Sequence, residues 1–491
     1  MEQNAAVVIS RRDLLRSSLG AVVLASSPLV AFASQSSRLA GDPMRPQFHF
    51  LPAANWMNDP NAPIYWNGRY HMFYQYNPHD SVWGDMHWGH AISPDMIHWT
   101  HYPIALAPTP GGPDAAGCFT GSAIVDKGRV AVLYTGIIEA PPVGAAVTDA
   151  ANRRRESQCL AFADDPKLIH WTKVPQPVIP EPPAGMAVTG FRDPSAWKQG
   201  DWYYMTVGSG IPNVGGTVLL YRSQDLRQWS YMHFLARGKW NGNGGKNVVA
   251  SGEMWECPEF FPLGEKHVLI YSSEGKVFWQ AGTLDQETMQ FESEHDGLLD
   301  LGSFYAPKTQ LDAKGRRILW GWIRESRPNA QLHAAGWAGM MSLPRVLSLA
   351  SDGSLQMETL PELKALRAGR STSLISAACG EFVCSATAAE NFLLTLTAEP
   401  DATELMHISY SAAKQALIFD DKIFPLDIGQ PINLHGFVDG SVVELTINGR
   451  GGYAKRFYYS TPKAPDIAFH IVAGESQAWG VRPISHDRLT S

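Results

Sequence analysis

Trp56-Met57-Asn58-Asp59-Pro60-Asn61, with the apolar run YHMFYQY starting at Tyr70, eleven residues beyond Asp59, is the stretch from which the fold is read. Two more acidic motifs keep the same beat. Phe191-Arg192-Asp193-Pro194 precedes WYYMTVG from Trp202, and Trp255-Glu256-Cys257-Pro258 precedes HVLIYSS from His267, at offsets of 9 and 11 residues from the acid. Phe119-Thr120-Gly121-Ser122 before VAVLYTG and Tyr305-Ala306-Pro307-Lys308 before RILWGWI bring the similar units to five, these two without an acid. Three units thus place a carboxylate at what reads as an equivalent spot. A radial repeat gathers equivalent spots around one axis, so acids far apart in sequence can form one cluster.

A second repeat reinforces the first. It runs Ser93-Pro94-Asp95-Met96-Ile97-His98-Trp99, Asp165-Pro166-Lys167-Leu168-Ile169-His170-Trp171 and Ser223-Gln224-Asp225-Leu226-Arg227-Gln228-Trp229, with a weaker copy from Asp285 to Phe291. Each reads as a tight turn between outer strands, capped by the Ser or Asp side chain, with the Trp packing on the next unit. These periods predict an all-β fold, a five-bladed β-propeller of four-stranded sheets over residues 44–350; a β-sandwich with coincidental turn motifs is the alternative. After Arg345 the pattern changes. Residues 351–370 read as a linker, with a short helical look over 358–369 where Leu360, Leu363 and Leu366 recur. Over 371–491 the alternating runs FLLTLTA, HISYSA, QALIF, VVELTING and AFHIVAG predict a C-terminal antiparallel β-sandwich.

Composition bounds the function. A chain of 491 residues exceeds one ordinary domain, and 45% hydrophobic with 18% charged residues excludes a disordered protein. A net charge of −7 without a basic run excludes nucleic acid as a partner. Ser10-Arg11-Arg12-Asp13-Leu14-Leu15-Arg16, followed by SSLGAVVLASSPLVAFA, reads as a twin-arginine signal peptide over residues 1–33, with Ala31-Phe32-Ala33 as the cleavage site. The apolar run is shorter than the roughly 20 residues of a spanning helix, so no membrane insertion is expected after cleavage. The expected location is periplasmic or secreted. Five cysteines argue against a disulfide scaffold: Cys118, Cys159 and Cys257 read as buried thiols, while Cys379 and Cys384 are close enough to pair. No Cys/His cluster has zinc-ligand spacing, so neither a metal nor a cofactor is expected.

Asp59, Asp193 and Glu256 would face the central channel, and their chemistry suits glycoside hydrolysis. That reaction needs one carboxylate as nucleophile or base and a second to protonate the leaving oxygen. Two carboxylates about 5 Å apart give a covalent glycosyl intermediate and retention. A third can hold sugar hydroxyls and stabilise positive charge on the ring. Arg192 is placed to keep nearby carboxylates ionised or to orient the acid. Trp56, Trp83, Phe119, Tyr305 and Trp322 are candidates for the apolar walls. Glu253 and Glu259 lie an odd number of residues from Glu256, on the opposite strand face, and read as surface or loop residues. Asp85 is a candidate contact to the leaving group, and His87, His90 and His98 read as strand or turn residues.

WMNDPN with FYQYNP, FTGS, FRDP, WECP and the GWAG…LPR segment from Gly336 to Arg345 together resemble glycoside hydrolase family 32, the invertases, inulinases and levanases. The likeness runs from about Phe48 to Arg345, and FVDGSVVELTING from Phe437 resembles the family's C-terminal sandwich. This resemblance implies a five-bladed propeller plus sandwich and retaining hydrolysis of β-fructofuranosidic bonds in sucrose, inulin or levan. It implies Asp59 as nucleophile, Asp193 as transition-state stabiliser and Glu256 as acid/base. Asn58, Gln75, Trp83, Phe119, Thr120, Ser122 and Arg192 would line the fructosyl pocket. Two positions depart from the family's usual residues, Ala62 for Gly and Thr120 for a frequent Ser. A fructosyltransferase, in which a sugar attacks the fructosyl-enzyme, shares all three carboxylates and stays open. A non-catalytic fructan-binding protein would have no need of an acid at Glu256.

Overall fold

Every motif of the first repeat opens a strand that pairs antiparallel with the apolar run behind it, in the computed structural model, which describes residues 38–139, 154–243, 247–459 and 462–485. Asn55–Trp66 pairs with Arg69–Asn77, Gly117–Asp126 with Arg129–Glu139 and Phe191–Gln199 with Trp202–Ile211. Glu256–Leu263 pairs with Lys266–Ser273, and Phe304–Leu311 with Arg317–Ile323. Two further strands extend each pair outward. The first strands of the five sheets touch in sequence, and the one starting at Phe304 returns to the one starting at Asn55. The described chain is nearly all β, in an arrangement consistent with a β-propeller followed by a β-sandwich.

The apolar runs are continuous because the second strand of each sheet is covered on both faces. In Arg129–Glu139, Val132 and Tyr134 pack with Phe73 and Trp88 of the first sheet. Their neighbours Ala131 and Leu133 turn the other way, onto Phe191 and Met205 of the third. Leu219 and Leu220, on the strand Gly215–Ser223, divide likewise between two wedges. Each fully buried side chain of this size contributes roughly 1.5–3 kcal/mol, so wedges between neighbouring sheets hold the fold together. The inner strand ends are left free to carry polar groups.

The second repeat forms the turns into the fourth strands. Asp95, Asp165, Asp225 and Asp285 each accept backbone N–H groups two or three residues on, or slightly further. The residues after these caps, Met96, Leu168, Leu226 and Met289, have φ of 66, 57, 63 and 58° and are buried. His87 and His90 lie in the strand His87–Ser93, and His98 bonds the Asp95 cap.

Residues 351–370 differ from the expected linker. Leu355–Thr359 pairs with Arg345–Leu349 as the outer strand of the fifth sheet, and Arg367–Ser371 pairs with Gly474–Val481. Between them Pro361–Leu366 is a short 3-10 helix, whose Leu363 and Leu366 join Leu360 in the apolar core beneath the first and fifth sheets. That burial, absent from a linker, explains the leucine spacing. Beyond it, two antiparallel sheets enclose a core that includes Phe382, Leu394, Leu396, Met406, Leu417 and Leu445. All five cysteines are free thiols, Cys379 and Cys384 included.

A buried ionic network joins the two parts. His49 lies between Asp439, at 2.7 Å, and Glu444, at 2.9 Å. Arg345 bridges Glu444 to Asp300 at 2.7 and 3.1 Å. Asp439 also accepts the backbone N–H groups of Gln47, Phe48 and His49. Charges this deep require full partnering, because losing one member strands the others in a low-dielectric interior.

Candidate active site

The five inner strands share one local irregularity. Pairing with the second strand slips between Met57 and Pro60, Cys118 and Gly121, Arg192 and Ser195, Glu256 and Glu259, and Tyr305 and Lys308. Each slip is a β-bulge, which leaves residues unpaired and re-aims their side chains. Asp193, Cys257 and Ala306, the second residue of three of them, have φ of 66, 50 and 51°. The three acids therefore occupy the same bulge but not the same position in it. By register, Glu256 is the first residue, Asp193 the second and Asp59 the third. The expected equivalence of the three spots is corrected to this staggered one, which points carboxylates from different strands at one another. Ala62 stands at φ 44° at a second slip in the first strand; it keeps the left-handed turn that a Gly adopts freely, at about 1–2 kcal/mol of strain.

Hydrogen bonds knit the bulges together. Asp59 accepts Asn58 Nδ2 at 2.9 Å and Thr120 Oγ1 at 2.7 Å, and Gln75 reaches Thr120 at 3.3 Å. Trp56 Nε1 fixes the Asn58 carbonyl at 2.7 Å. The Cys257 thiol bridges Asp59 and Asp193, 3.7 and 3.5 Å from their Oδ2 atoms, and its backbone N–H donates to Asp193 at 2.9 Å. Arg192 Nε and Nη2 donate to Glu256 Oε1 at 3.1 and 2.8 Å, while Tyr305 Oη donates to Oε2 at 2.7 Å.

Burial pushes Asp193 above the usual carboxylate range; Arg192 pulls it back, and the charges of Glu256 and Asp59 push it up again. Burial also raises Asp59, against the hydrogen bonds of Asn58 and Thr120. Burial, with the neighbouring carboxylates, keeps the Cys257 thiol and the Tyr305 phenol protonated as donors. With Glu156 also paired to Arg192, four carboxylates share one guanidinium, which disfavours full ionisation, so Asp59 and Asp193 hold a proton more readily than isolated acids do.

The cluster lines a pocket of about 360 Å³, small for a ligand site. Asn58, Gln75, Trp83, Phe119, Thr120, Arg192, Tyr305 and Trp322 all line it with the three acids. Trp83 meets Phe119 edge-on at 6.0 Å, and Trp56 meets Trp322 at 5.8 Å. Ser122 is not in the lining. Its hydroxyl accepts Ala196 N–H at 3.0 Å and ties the second sheet to the third.

Two lining residues had no signal in the sequence, Arg154 and Glu156. Arg154 stacks over Trp83 and Phe119 at 4.9 and 5.8 Å. Both come from the third strand of the second sheet, Arg154–Ala163, which carries no motif. Glu253 and Glu259 are outside the lining and both are buried, Glu253 in the loop before the strand and Glu259 on the strand itself, contrary to the expected surface position. Glu259 accepts Lys308 Nζ at 3.0 Å beneath the site, and Glu253 accepts Asn213 N–H and Ser251 Oγ. Asp85 is exposed beside Trp83, grouped with His79 and His87, with ligand atoms within 4.8 Å of one another. A larger hollow of about 720 Å³ is lined by Arg327, Tyr458 and Asp401 among others and includes none of the three motif acids.

The family model for the glycosyl hydrolases family 32 N-terminal domain matches residues 49–359, and that for the C-terminal domain matches 350–483. The chain is 35% identical to a sucrose-6-phosphate hydrolase of Escherichia coli, over 88% of this chain and 93% of that one. It is 38% identical to an acid β-fructofuranosidase of Vicia faba over 66% of this chain and 52% of that one. Among solved structures, a GH32 β-fructofuranosidase of Bombyx mori superposes with a TM-score of 0.75 at 27% identity, covering 93% of this chain and 99% of the other. A fructan 1-exohydrolase of Cichorium intybus gives 0.75 at 26%, covering 90% and 98%.

Proposed function

This chain belongs to glycosyl hydrolase family 32, and from that premise we propose that it hydrolyses β-fructofuranosidic bonds by retention through a covalent fructosyl-enzyme. It is a β-fructofuranosidase-type hydrolase of sucrose or fructans. The observation that carries the mechanism is the single pocket in which Asp59, Asp193 and Glu256 converge on staggered bulges. Five sheets whose first strands touch in a ring support a five-bladed propeller around that pocket.

Asp59 attacks the anomeric carbon. Neutral donors, Asn58 and Thr120, orient its two oxygens without cancelling its charge, which suits a nucleophile. Glu256 gives its proton to the leaving oxygen, then takes one from the water that releases fructose. Asp193 is held through Oδ2 by Cys257, while Oδ1 has no protein donor among the described residues and is free for fructosyl hydroxyls. Trp83 and Phe119, with Arg154 stacked on them, form an aromatic wall of the pocket.

The twin-arginine segment and Ala31-Phe32-Ala33, outside the described residues, support work outside the cytoplasm. Arg11→Lys with Arg12→Lys should trap an uncleaved precursor inside cells; normal processing of that variant would end the export reading. Product analysis with sucrose, inulin and levan at several sugar concentrations tests the function. Fructose should appear as a first product from at least one of them. Elongated sugars as the main product would favour transfer instead, and no fructose from any substrate would refute the proposal.

A further inference from the structure

We propose that Glu156 is a positioning residue for the acid/base step: by anchoring Arg192 it dictates which oxygen of Glu256 carries the proton. This rests on the reading of Glu256 as the acid. Glu156 is 8% exposed, and a carboxylate so buried needs partners. It has two: Phe191 N–H donates to Oε2 at 2.5 Å, and Arg192 Nη1 donates to Oε1 at 2.9 Å. The remaining edge of the guanidinium, Nε and Nη2, is spent on Glu256 Oε1. A guanidinium is a rigid planar fork, so holding Nη1 fixes the direction in which Nε and Nη2 are presented.

Two consequences follow for Glu256. Its Oε1 faces two cationic N–H groups and is a poor place for a proton. Oε2 faces only the neutral Tyr305 hydroxyl and is the oxygen that can carry one to the leaving group. Glu156 also divides the charge of Arg192. Without it the cation would be shared only between Glu256 and Asp193, and more of it would act on Glu256 and favour the carboxylate over the acid. The other titratable groups around Glu256 are Asp59, Asp193, Cys257 and Tyr305, with Arg154 in the pocket wall and Arg324 stacked on Tyr305. Among the described residues none of them bonds Arg192 Nη1.

Glu156→Gln keeps the shape and removes the charge. On sucrose, kcat should fall about tenfold, a part of the 10²–10⁴ that general acid catalysis supplies, with KM changed less than about twofold. The alkaline limb of the pH–rate profile should move to lower pH. An aryl β-fructofuranoside with a nitrophenol leaving group, which needs little protonation, should be spared, and Glu156→Asp should recover part of the loss. If Glu156→Gln does not fold, Arg192→Lys, which keeps the charge without the fork, should show the same selective loss. Equal loss on both substrates with an unmoved alkaline limb, or no loss at all, would overturn the inference. Glu256→Gln in parallel separates the two readings. If it too fails to discriminate the leaving groups, the acid assignment falls; if it discriminates and Glu156→Gln does not, only the positioning role falls.

Discussion

One imidazole should make the stability of this protein fall on the alkaline side of neutrality. His49 is buried between Asp439 and Glu444, where the segment before the first strand meets the sandwich. Burial pulls its pKa down, but the hydrogen bonds and charges of the two carboxylates outweigh that and raise it from 6.5 to about 9. A raised folded-state pKa means the folded protein holds the proton more tightly than the unfolded chain. The stabilisation is therefore fully present below about pH 6.5 and is lost as pH rises through about 9. A gap of about 2.5 units at roughly 1.4 kcal/mol each gives about 3 kcal/mol. Urea unfolding followed by tryptophan fluorescence, at about pH 6 and pH 10, can be run on the wild type and His49→Gln. The variant is destabilised at both pH values, because it leaves two buried carboxylates poorly matched, but only the pH dependence matters. The stability difference between the two proteins should shrink by about 3 kcal/mol from the lower to the higher pH. A difference constant to within about 1 kcal/mol would refute the claim that His49 is a protonated bridge between the two parts.

Other outcomes follow from the same geometry. Asp59→Asn should lower kcat by about four orders of magnitude or more with an unchanged melting temperature, since among the described residues Asp59 accepts from neutral donors and forms no ion pair; a variant keeping most of its activity would remove it as nucleophile. Lys308→Met should destabilise the protein by about 3–5 kcal/mol, because it strands the buried Glu259 carboxylate. Adding Glu259→Gln should return much of that in thermal unfolding. Burial lifts Asp59 and Asp193 above the ordinary aspartate value of about 4. As the nucleophile must be ionised, kcat/KM should therefore drop as pH falls through a value above 4, not below it.

The sequence showed the parts that repeat. Motif-to-strand offsets revealed the inner pairs, and the Asp-capped turns at Asp95, Asp165 and Asp225 formed as read, because both depend on local hydrogen bonds and period-2 burial. What failed depended on irregularity. Strand parity put Glu259 on the surface, but the bulge at Cys257 breaks the simple alternation, and Lys308 from the next sheet meets that carboxylate in the interior. Glu156 and Arg154 reach the pocket from a third strand with no motif, so nothing local distinguished them. Leu360, Leu363 and Leu366 are buried in one apolar core, as their spacing predicts, but spacing does not encode that the segment is a 3-10 turn between two paired strands.

The central claim is that Asp59 carries the fructosyl group. Glu256→Ala with an aryl β-fructofuranoside should form the fructosyl-enzyme but release it slowly, because the base for the second step is gone. Acid quenching, proteolysis and mass spectrometry should then show an added anhydrofructosyl unit on the peptide containing Asp59. No adduct, or an adduct on the peptide containing Asp193, would contradict the account.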